Sequence, residues 1–205
     1  MNLPNKLTII RILLVPLILI FLIPLPQWTD GMVRWNQFIL QDGRLIALCL
    51  FIIASLTDYL DGTIARKQNL VTTLGKFLDP IADKMLVISV FIALVETGRL
   101  SSLVAIVVII RELTISGIRL LASDRGVVIA ANNLGKAKTV SQIIAIIYLL
   151  SEPLLSRLTV SLLDERWIVQ AGNVIVVISV ILTLLSGLNY LRQNIGFISG
   201  KENDQ

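Results

Sequence analysis

The sequence predicts an all-α integral membrane protein with six transmembrane helices and an N-terminal interfacial helical segment, forming a single membrane domain over residues 1–205. Hydrophobic residues make up 55% of the chain and the mean hydropathy is +0.83, which soluble domains rarely reach. Several apolar stretches reach the roughly 20 residues that a helix needs to cross a bilayer. The short alternating segments of a membrane β-barrel are missing from the sequence, and a helix satisfies its own backbone hydrogen bonds in lipid.

Six apolar segments follow one another along the chain. They cover residues 7–24, 42–62, 73–96, 100–120, 136–155 and 167–191. The first segment has no small-residue cleavage site, so we expect a retained membrane helix rather than a removed signal peptide. The polar loop after it, PQWTDGMVRWNQ, holds two tryptophans, which favour a membrane interface. No internal repeat or soluble domain interrupts the series.

Lysine and arginine are distributed unevenly between the two sides that six spans define. Of the 18 residues of these types, 13 fall on the side of the termini and 5 on the other side. Because cytoplasmic loops carry the excess of positive residues, we expect a multi-pass inner-membrane protein with both termini and its acidic segment in the cytoplasm. The net charge of +4 then indicates contact with anionic membrane lipids rather than nucleic acid. The absence of histidine excludes histidine catalysis, and the single cysteine excludes an intrachain disulfide.

The acidic segment, TDYLDGTIARKQNLVTTLGKFLDPIADK, covers residues 57–84 between the second and third spans. Asp58 and Asp61 are three residues apart, and Asp79 and Asp83 are four apart, so each pair lies on one face of a helix. Two antiparallel helices would aim these four carboxylates at one point, where they repel one another unless cations lie between them. Hard oxygen ligands suit Mg²⁺, Mn²⁺ or Ca²⁺, and a pair of such ions supports displacement at phosphorus.

Small residues and a cation lie between the two aspartate pairs. Gly62 and Gly75 leave the backbone open to a bulky or phosphorylated ligand, and Ala65 is nearly as small. Arg66 can bind a pyrophosphate through paired hydrogen bonds. The segment therefore combines a metal-binding set with space for a phosphorylated ligand.

From residue 58 the segment reads D-x2-D-G-x2-A-R-x8-G-x3-D-x3-D, which resembles the signature of the CDP-alcohol phosphatidyltransferases at every position and spacing. The resemblance implies that an alcohol attacks the lipid-bearing phosphorus of CDP-diacylglycerol and that CMP leaves. It implies a homodimer and two divalent ions, Mg²⁺ or Mn²⁺, held by Asp58, Asp61 and Asp79. Asp83 would be the general base and would also contact the second metal. The implied nucleotide and pyrophosphate site consists of Gly62, Ala65, Arg66 and Gly75.

Cationic residues further along the chain bear on the identity of the acceptor alcohol. Arg111 and Arg119 are eight residues apart on the fourth span, loosely on one helix face. Arg111 lies inside the apolar segment, so we expect it either to bind an anion or to form a structural ion pair with Glu112. Lys136 and Lys138 begin the fifth span, where they either bind phosphate at a helix N-terminus or form a positive cytoplasmic flank. Being two residues apart, they face opposite ways.

The opening NLPNKLTIIR places Asn5, Thr8 and Arg11 on one polar stripe. This opening, the RE pair at residues 111–112 and the GKAKT string at residues 135–139 resemble the family members that use sn-glycerol 3-phosphate as acceptor. The resemblance implies a surface helix that leans over the active site; the alternative for this segment is a simple interfacial anchor. The acceptor-phosphate site implied by the resemblance consists of Thr8, Arg11, Arg111, Arg119, Lys136 and Lys138.

The expected product is therefore phosphatidylglycerophosphate. Two alternatives stay open at this point. One is the same family with another acceptor, as in a cardiolipin synthase or an inositol-phosphate transferase. The other is a divalent-cation transporter, which would place carboxylates near the bilayer midplane, whereas the four aspartates here lie on one side.

Overall fold

The computed structural model describes the backbone of residues 3–68, 73–124, 133–159 and 164–194, with side chains described except at 3–5, 7, 58–68, 73–80, 83 and 124. Regular structure within these ranges is helical. The elements are α1 (Leu3–Leu22), α2 (Asp30–Phe38), a π-helical segment (Ile39–Gly43), α3 (Arg44–Gln68), α4 (Thr73–Glu96), α5 (Ser102–Asp124), α6 (Asn133–Thr159) and α7 (Glu165–Gln193). The six long helices match the six predicted spans in order and position.

Three stretches of the described chain are long and apolar enough to cross a membrane, namely Asp30–Thr57, Asn133–Thr159 and Glu165–Gln193, and a shorter apolar stretch covers Thr8–Leu22. Large apolar side chains also point outward on every long helix. Examples are Leu13, Ile53, Ile92, Leu103, Ile144 and Val174, each between 48% and 70% exposed. An apolar outer surface of this extent fits lipid rather than water. The predicted all-α membrane fold is thereby confirmed.

The segment between the first two spans is more ordered than the sequence predicted. Residues 30–38 form α2, whose N-cap Thr29 accepts a hydrogen bond from the Met32 amide at 3.4 Å. The Asn36 side chain accepts from the Leu25 amide at 2.8 Å and donates to the Leu25 carbonyl at 2.7 Å. The prediction of a loop here was wrong over α2, because a cap and a side-chain clamp supply the hydrogen bonds that composition alone did not reveal.

The N-terminal segment is also not a separate helix. Residues 3–11 form the first turns of α1, which runs without interruption to Leu22 and includes Pro16. Thr8 and Arg11 are each 1% exposed, so these two residues of the polar stripe face the protein interior. A simple interfacial anchor would leave those two side chains at the surface.

The core lies among α1, α3, α4 and α6. Its fully buried members include Ile18, Phe51, Leu94 and Leu149, one from each of these helices. α1 packs against both α3 and α4, while α7 packs against α5 and α6. The two helices that carry the aspartates are therefore held on either side of α1, and α7 closes the bundle behind the cationic residues of α5 and α6.

The turn between α4 and α5 positions a charged residue at the end of the bundle away from the aspartates. Gly98 has a φ of 69°, which favours glycine at a helix C-terminus, and the Arg99 amide donates to the Leu94 carbonyl at 2.9 Å. The Arg99 Nε and Nη2 atoms then donate to the two carboxylate oxygens of Glu152 at 2.5 Å each. This hydrogen-bonded pair raises the pKa of Arg99.

Candidate functional site

The two aspartate pairs lie within uninterrupted helix. Asp58 and Asp61 belong to α3, and Asp79 and Asp83 belong to α4. Spacings of three and four residues put each pair on one face, so the helical register required by a shared metal site is present. The four side chains themselves lie outside the described part of the structure.

Helix α3 continues beyond the predicted end of the second span. It runs from Arg44 to Gln68, so the backbone at Gly62, Ala65 and Arg66 is helical. Gly75 lies in the first turn of α4. The predicted nucleotide site therefore falls on the end of α3 and the first turn of α4, and its side chains lie outside the described residues. The donor set of four carboxylates on two helices fits one or two hard divalent ions.

Two buried polar residues of α1 lie on the helix that packs against α3 and α4. Thr8 and Arg11 lie one turn apart and are almost fully buried, and α1 packs against α3 and α4. A guanidinium is retained in an interior only with compensating partners. The structure therefore places the cation of Arg11 inside the bundle, on the helix that packs against both aspartate-bearing helices.

A buried charge cluster forms where α5 meets α6. Glu112 accepts a hydrogen bond from Lys138 Nζ and a second from Arg111 Nη1 at 3.2 Å. The side chains of Glu112, Lys138 and Arg111 are 8%, 6% and 12% exposed. One carboxylate is therefore shared by two cations in a place that is nearly closed to water.

A water-sized cavity of about 10 Å³ lies beside this cluster. Its polar lining comes from Lys84 of α4, Glu112 of α5, and Lys138, Thr139 and Gln142 of α6. Lys84 directly follows Asp83 in the chain. The cavity thus joins the predicted phosphate-binding lysine to the turn of α4 that carries the predicted general base.

The two lysines of the GKAKT string take different positions. Lys138 is 4% exposed, whereas Lys136 lies on the exposed side of α6. The prediction that they face opposite ways is confirmed. Thr139 is half-buried and donates to the Gly135 carbonyl at 3.2 Å. Of the two lysines, only Lys138 lines the cavity beside α4.

The two arginines of α5 both contact α7. Arg111 Nη2 donates to Ser186 Oγ at 2.7 Å, and a Cβ at Gly187 would lie 3.2 Å from the Arg111 side chain. The Arg119 guanidinium lies 5.5 Å from the centre of the Tyr190 ring, within the range of a cation–π contact. Of the two alternatives for Arg111, the ion pair with Glu112 is present, and it joins Arg111 to the same cluster as Lys138.

Sequence reasoning missed the polar seam between α6 and α7. Gln142 Nε2 donates to Thr183 Oγ1 at 3.1 Å, and Ser141 Oγ donates to Ser179 Oγ at 3.3 Å. Ser179, Thr183 and Ser186 are buried at spacings of four and three residues. That spacing of small polar residues in an apolar helix was the available signal, because such residues bond across helix interfaces in membranes.

Chemically, the described cluster offers cationic hydrogen-bond donors of the kind that bind anions. Cationic side chains come to the cavity and its charge cluster from α4, α5 and α6, and the Glu112 carboxylate accepts hydrogen bonds from two of them. Charge-assisted hydrogen bonds from such cations to a phosphate are strong where water is excluded. Carboxylates such as the four aspartates of α3 and α4 are suited to bind divalent cations or to accept the proton of a hydroxyl group.

Residues 1–185 match the family model described as CDP-alcohol phosphatidyltransferase. The chain is 40% identical over 193 residues to the CDP-diacylglycerol–glycerol-3-phosphate 3-phosphatidyltransferase of Bacillus subtilis strain 168, covering 94% of this chain and 95% of the relative. Relatives with the same name from Rickettsia bellii and Escherichia coli K12 are 34% and 33% identical. Those two matches cover 93% of this chain, with 94% and 93% of the respective relatives.

Proposed function

This chain belongs to the CDP-alcohol phosphatidyltransferase family, and from that membership we propose that it transfers a phosphatidyl group from CDP-diacylglycerol to sn-glycerol 3-phosphate. The products are phosphatidylglycerophosphate and CMP. The observation that carries the acceptor assignment is the buried Lys138, held by Glu112 at a cavity whose wall includes Lys84. A phosphorylated acceptor needs such cations beside the reacting hydroxyl, whereas an uncharged alcohol does not.

In the proposed reaction, the acceptor hydroxyl oxygen attacks the phosphorus that bears the diacylglycerol. The new P–O bond forms as the bond between that phosphorus and the bridging oxygen of CMP breaks, and the electron pair leaves with CMP. The hydroxyl proton passes to the carboxylate of Asp83, since a primary alcohol is a poor nucleophile at neutral pH without a positioned base. Without a serine–histidine pair, direct displacement is the simplest path.

Asp58, Asp61, Asp79 and Asp83 would hold two divalent ions, Mg²⁺ or Mn²⁺. When bound, these ions neutralise the charge that develops on the phosphoryl oxygens and on the departing CMP. Gly62, Ala65, Arg66 and Gly75 would receive the nucleotide and the pyrophosphate.

The acceptor phosphate would bind to the cations that surround the small cavity. Lys138 and Arg111 are buried and share Glu112, so they would hold the phosphate in one orientation. Arg11 and Thr8 would reach the acceptor phosphate from α1. Arg119, which lies beside Tyr190, would lie nearer the entrance of the acceptor site. Lys136, exposed on α6, would attract the charged acceptor rather than orient it.

The proposed function also includes an orientation in the membrane and an oligomeric state. The unequal distribution of lysine and arginine supports a multi-pass inner-membrane protein with both termini and the aspartates on the cytoplasmic side, where CDP-linked substrates and glycerol 3-phosphate are available. We also expect a homodimer, as the family resemblance implies. The molar mass of the protein–detergent complex, corrected for detergent, would test the dimer.

The decisive assay supplies the purified protein in detergent or lipid with CDP-diacylglycerol, Mg²⁺ or Mn²⁺, and one candidate alcohol at a time. CMP release with glycerol 3-phosphate alone is the expected result. Release with inositol phosphate or phosphatidylglycerol instead would replace the acceptor assignment by one of the alternatives. A folded, metal-binding protein that releases no CMP with any alcohol would refute the transferase, and metal-ion flux into vesicles would then support the transporter.

A further inference from the structure

The arginines on the side opposite the aspartates are concentrated in one place. The sequence has five cations on that side, namely Arg34, Arg44, Arg99, Arg157 and Arg166. Three of them, Arg44, Arg99 and Arg157, line one cavity of about 390 Å³ formed by α3, the α4–α5 turn, α6 and α7. This volume lies within the range of small-molecule binding sites.

Two of these three arginines are already neutralised. Arg99 is bound by both oxygens of Glu152 at 2.5 Å, and its Nη1 donates to Asn173 Oδ1 at 3.0 Å. Arg157 Nη1 donates to Asp42 Oδ1 at 3.0 Å, and its Nη2 donates to the Gln41 carbonyl. Arg99, Glu152 and Arg157 all line the cavity.

Arg44 is different. It is half-buried at the start of α3, and no hydrogen bond or ion pair joins its side chain to any residue that the structure describes. Glu152 lies near enough to attract it electrostatically, and Arg99 repels it, but the Glu152 carboxylate is hydrogen-bonded to Arg99 and not to Arg44. Glu165 also lines the cavity, yet it is exposed in the first turn of α7, where the helix dipole favours a carboxylate.

A guanidinium has five donors and is not deprotonated in proteins, so a half-buried one without a partner favours an oxyanion in the cavity. Planar donors match phosphate oxygens in particular. The surroundings of the cavity are apolar on one side: Val169 lines it, and Leu158 and Trp167, close by in the chain, are 69% and 63% exposed. A charged interior beside an apolar, tryptophan-bearing surface fits an amphiphile at a membrane interface better than a soluble ion.

We propose that this cavity binds the phosphate of an anionic phospholipid through Arg44. The site is separate from the transferase site, because Arg44 precedes Asp58 by fourteen residues on α3, about 21 Å along the helix axis. The bound lipid would belong to the leaflet opposite the aspartates. Its headgroup would complete the hydrogen bonding of Arg44, and its chains would cover the apolar surface beside α7.

The test measures lipid binding to the intact, detergent-purified protein by native mass spectrometry, with dioleoylphosphatidylglycerol as the probe. We expect saturable binding that Arg44→Gln weakens about tenfold, as expected for the loss of a charge-assisted hydrogen bond. Arg34→Gln is the matched control, since Arg34 is an exposed arginine on the same side that does not line the cavity. Arg44→Lys, which keeps the charge, should bind more tightly than Arg44→Gln.

Two further arms keep the test decisive. Ser156→Asp adds a carboxylate to the cavity lining while Arg44 stays in place, so it should also weaken binding even if Arg44→Gln does not fold. Dioleoylglycerol, which lacks the phosphate, should not compete. Unchanged phosphatidylglycerol binding in both Arg44→Gln and Ser156→Asp would overturn the proposal. Displacement of the lipid by an equal concentration of inorganic phosphate would overturn the lipid as the occupant. None of these outcomes depends on CMP release, so the transferase proposal is tested separately.

Discussion

Glu112→Gln is the substitution that most directly tests the buried charge cluster. In the folded protein the Glu112 carboxylate lies between Lys138 and Arg111. Glutamine has nearly the same shape and retains one acceptor oxygen, but it removes the negative charge. Lys138 and Arg111 then lose the carboxylate that they share in a nearly dry environment, while packing is almost unchanged.

The size of the destabilisation expected for Glu112→Gln follows from the burial of the three charged side chains. All three side chains are at most 12% exposed, so water screens little of the interaction. Removing one member of a buried ion pair costs about 3–5 kcal/mol. Because the glutamine oxygen can still accept a hydrogen bond from Lys138, we expect a loss of folding free energy at the lower end of this range, about 3 kcal/mol. For a chain of this size that corresponds to a Tm lower by about 6–12 °C.

The assay is thermal unfolding of the purified protein in one detergent, followed by circular dichroism. Glu96→Gln is the matched control, because Glu96 is an exposed carboxylate at the end of α4, and its loss should change stability by less than about 0.5 kcal/mol. If Glu112→Gln and Glu96→Gln melted at the same temperature, Lys138 and Arg111 would not depend on Glu112, and the reasoning would be refuted.

Three further predictions concern the site and the opposite end of the bundle. Asp83→Asn should abolish CMP release while Mn²⁺ binding, measured by calorimetry, is partly retained; near-normal turnover would exclude Asp83 as the base. Lys138→Met should raise the KM for glycerol 3-phosphate at least tenfold with little change in the KM for CDP-diacylglycerol, and Lys136→Met should raise it less because Lys136 is exposed; equal effects would contradict the assigned roles. Gly172→Ala should destabilise by about 1–3 kcal/mol, because its Cβ would lie 2.7 Å from a guanidinium nitrogen of a buried ion pair. Gly117→Ala, where a Cβ meets nothing within 4 Å, should not lower the Tm.

Much of the fold could be predicted because membrane helices are encoded locally. The segment predicted at residues 73–96 coincides with α4, and the other spans differ from their helices by a few residues at each end. The exception is α2, which depends on Asn36 binding the backbone of Leu25, a contact across eleven residues. Hydropathy measures the transfer of a segment into lipid and contains no information on such a side-chain clamp.

The candidate site was predictable to a lesser degree. Helical spacing indicated that Lys136 and Lys138 face opposite ways, but not which one lies inside the bundle. The structure buries Lys138, because Glu112 of a different helix meets it there. In the same way, the sequence left Arg111 open to an anion site or an ion pair, and its contacts with Glu112 and Ser186 place it in the cluster that includes Lys138.

The sequence by itself determined the class of the protein and the residues available for its chemistry. Apolar segments of spanning length require helices in lipid, and the aspartate signature at residues 58–83 has a fixed spacing that pairs carboxylates on helix faces. Only the tertiary structure decided which polar side chains meet. Thr8 and Arg11 became interior residues because α1 packs against α3 and α4. Arg44 came to lie beside Arg99 because distant helix ends converge. The spacing of charged residues in the sequence specifies their positions on one helix. It does not specify which other helix packs against them, and charges interact through space.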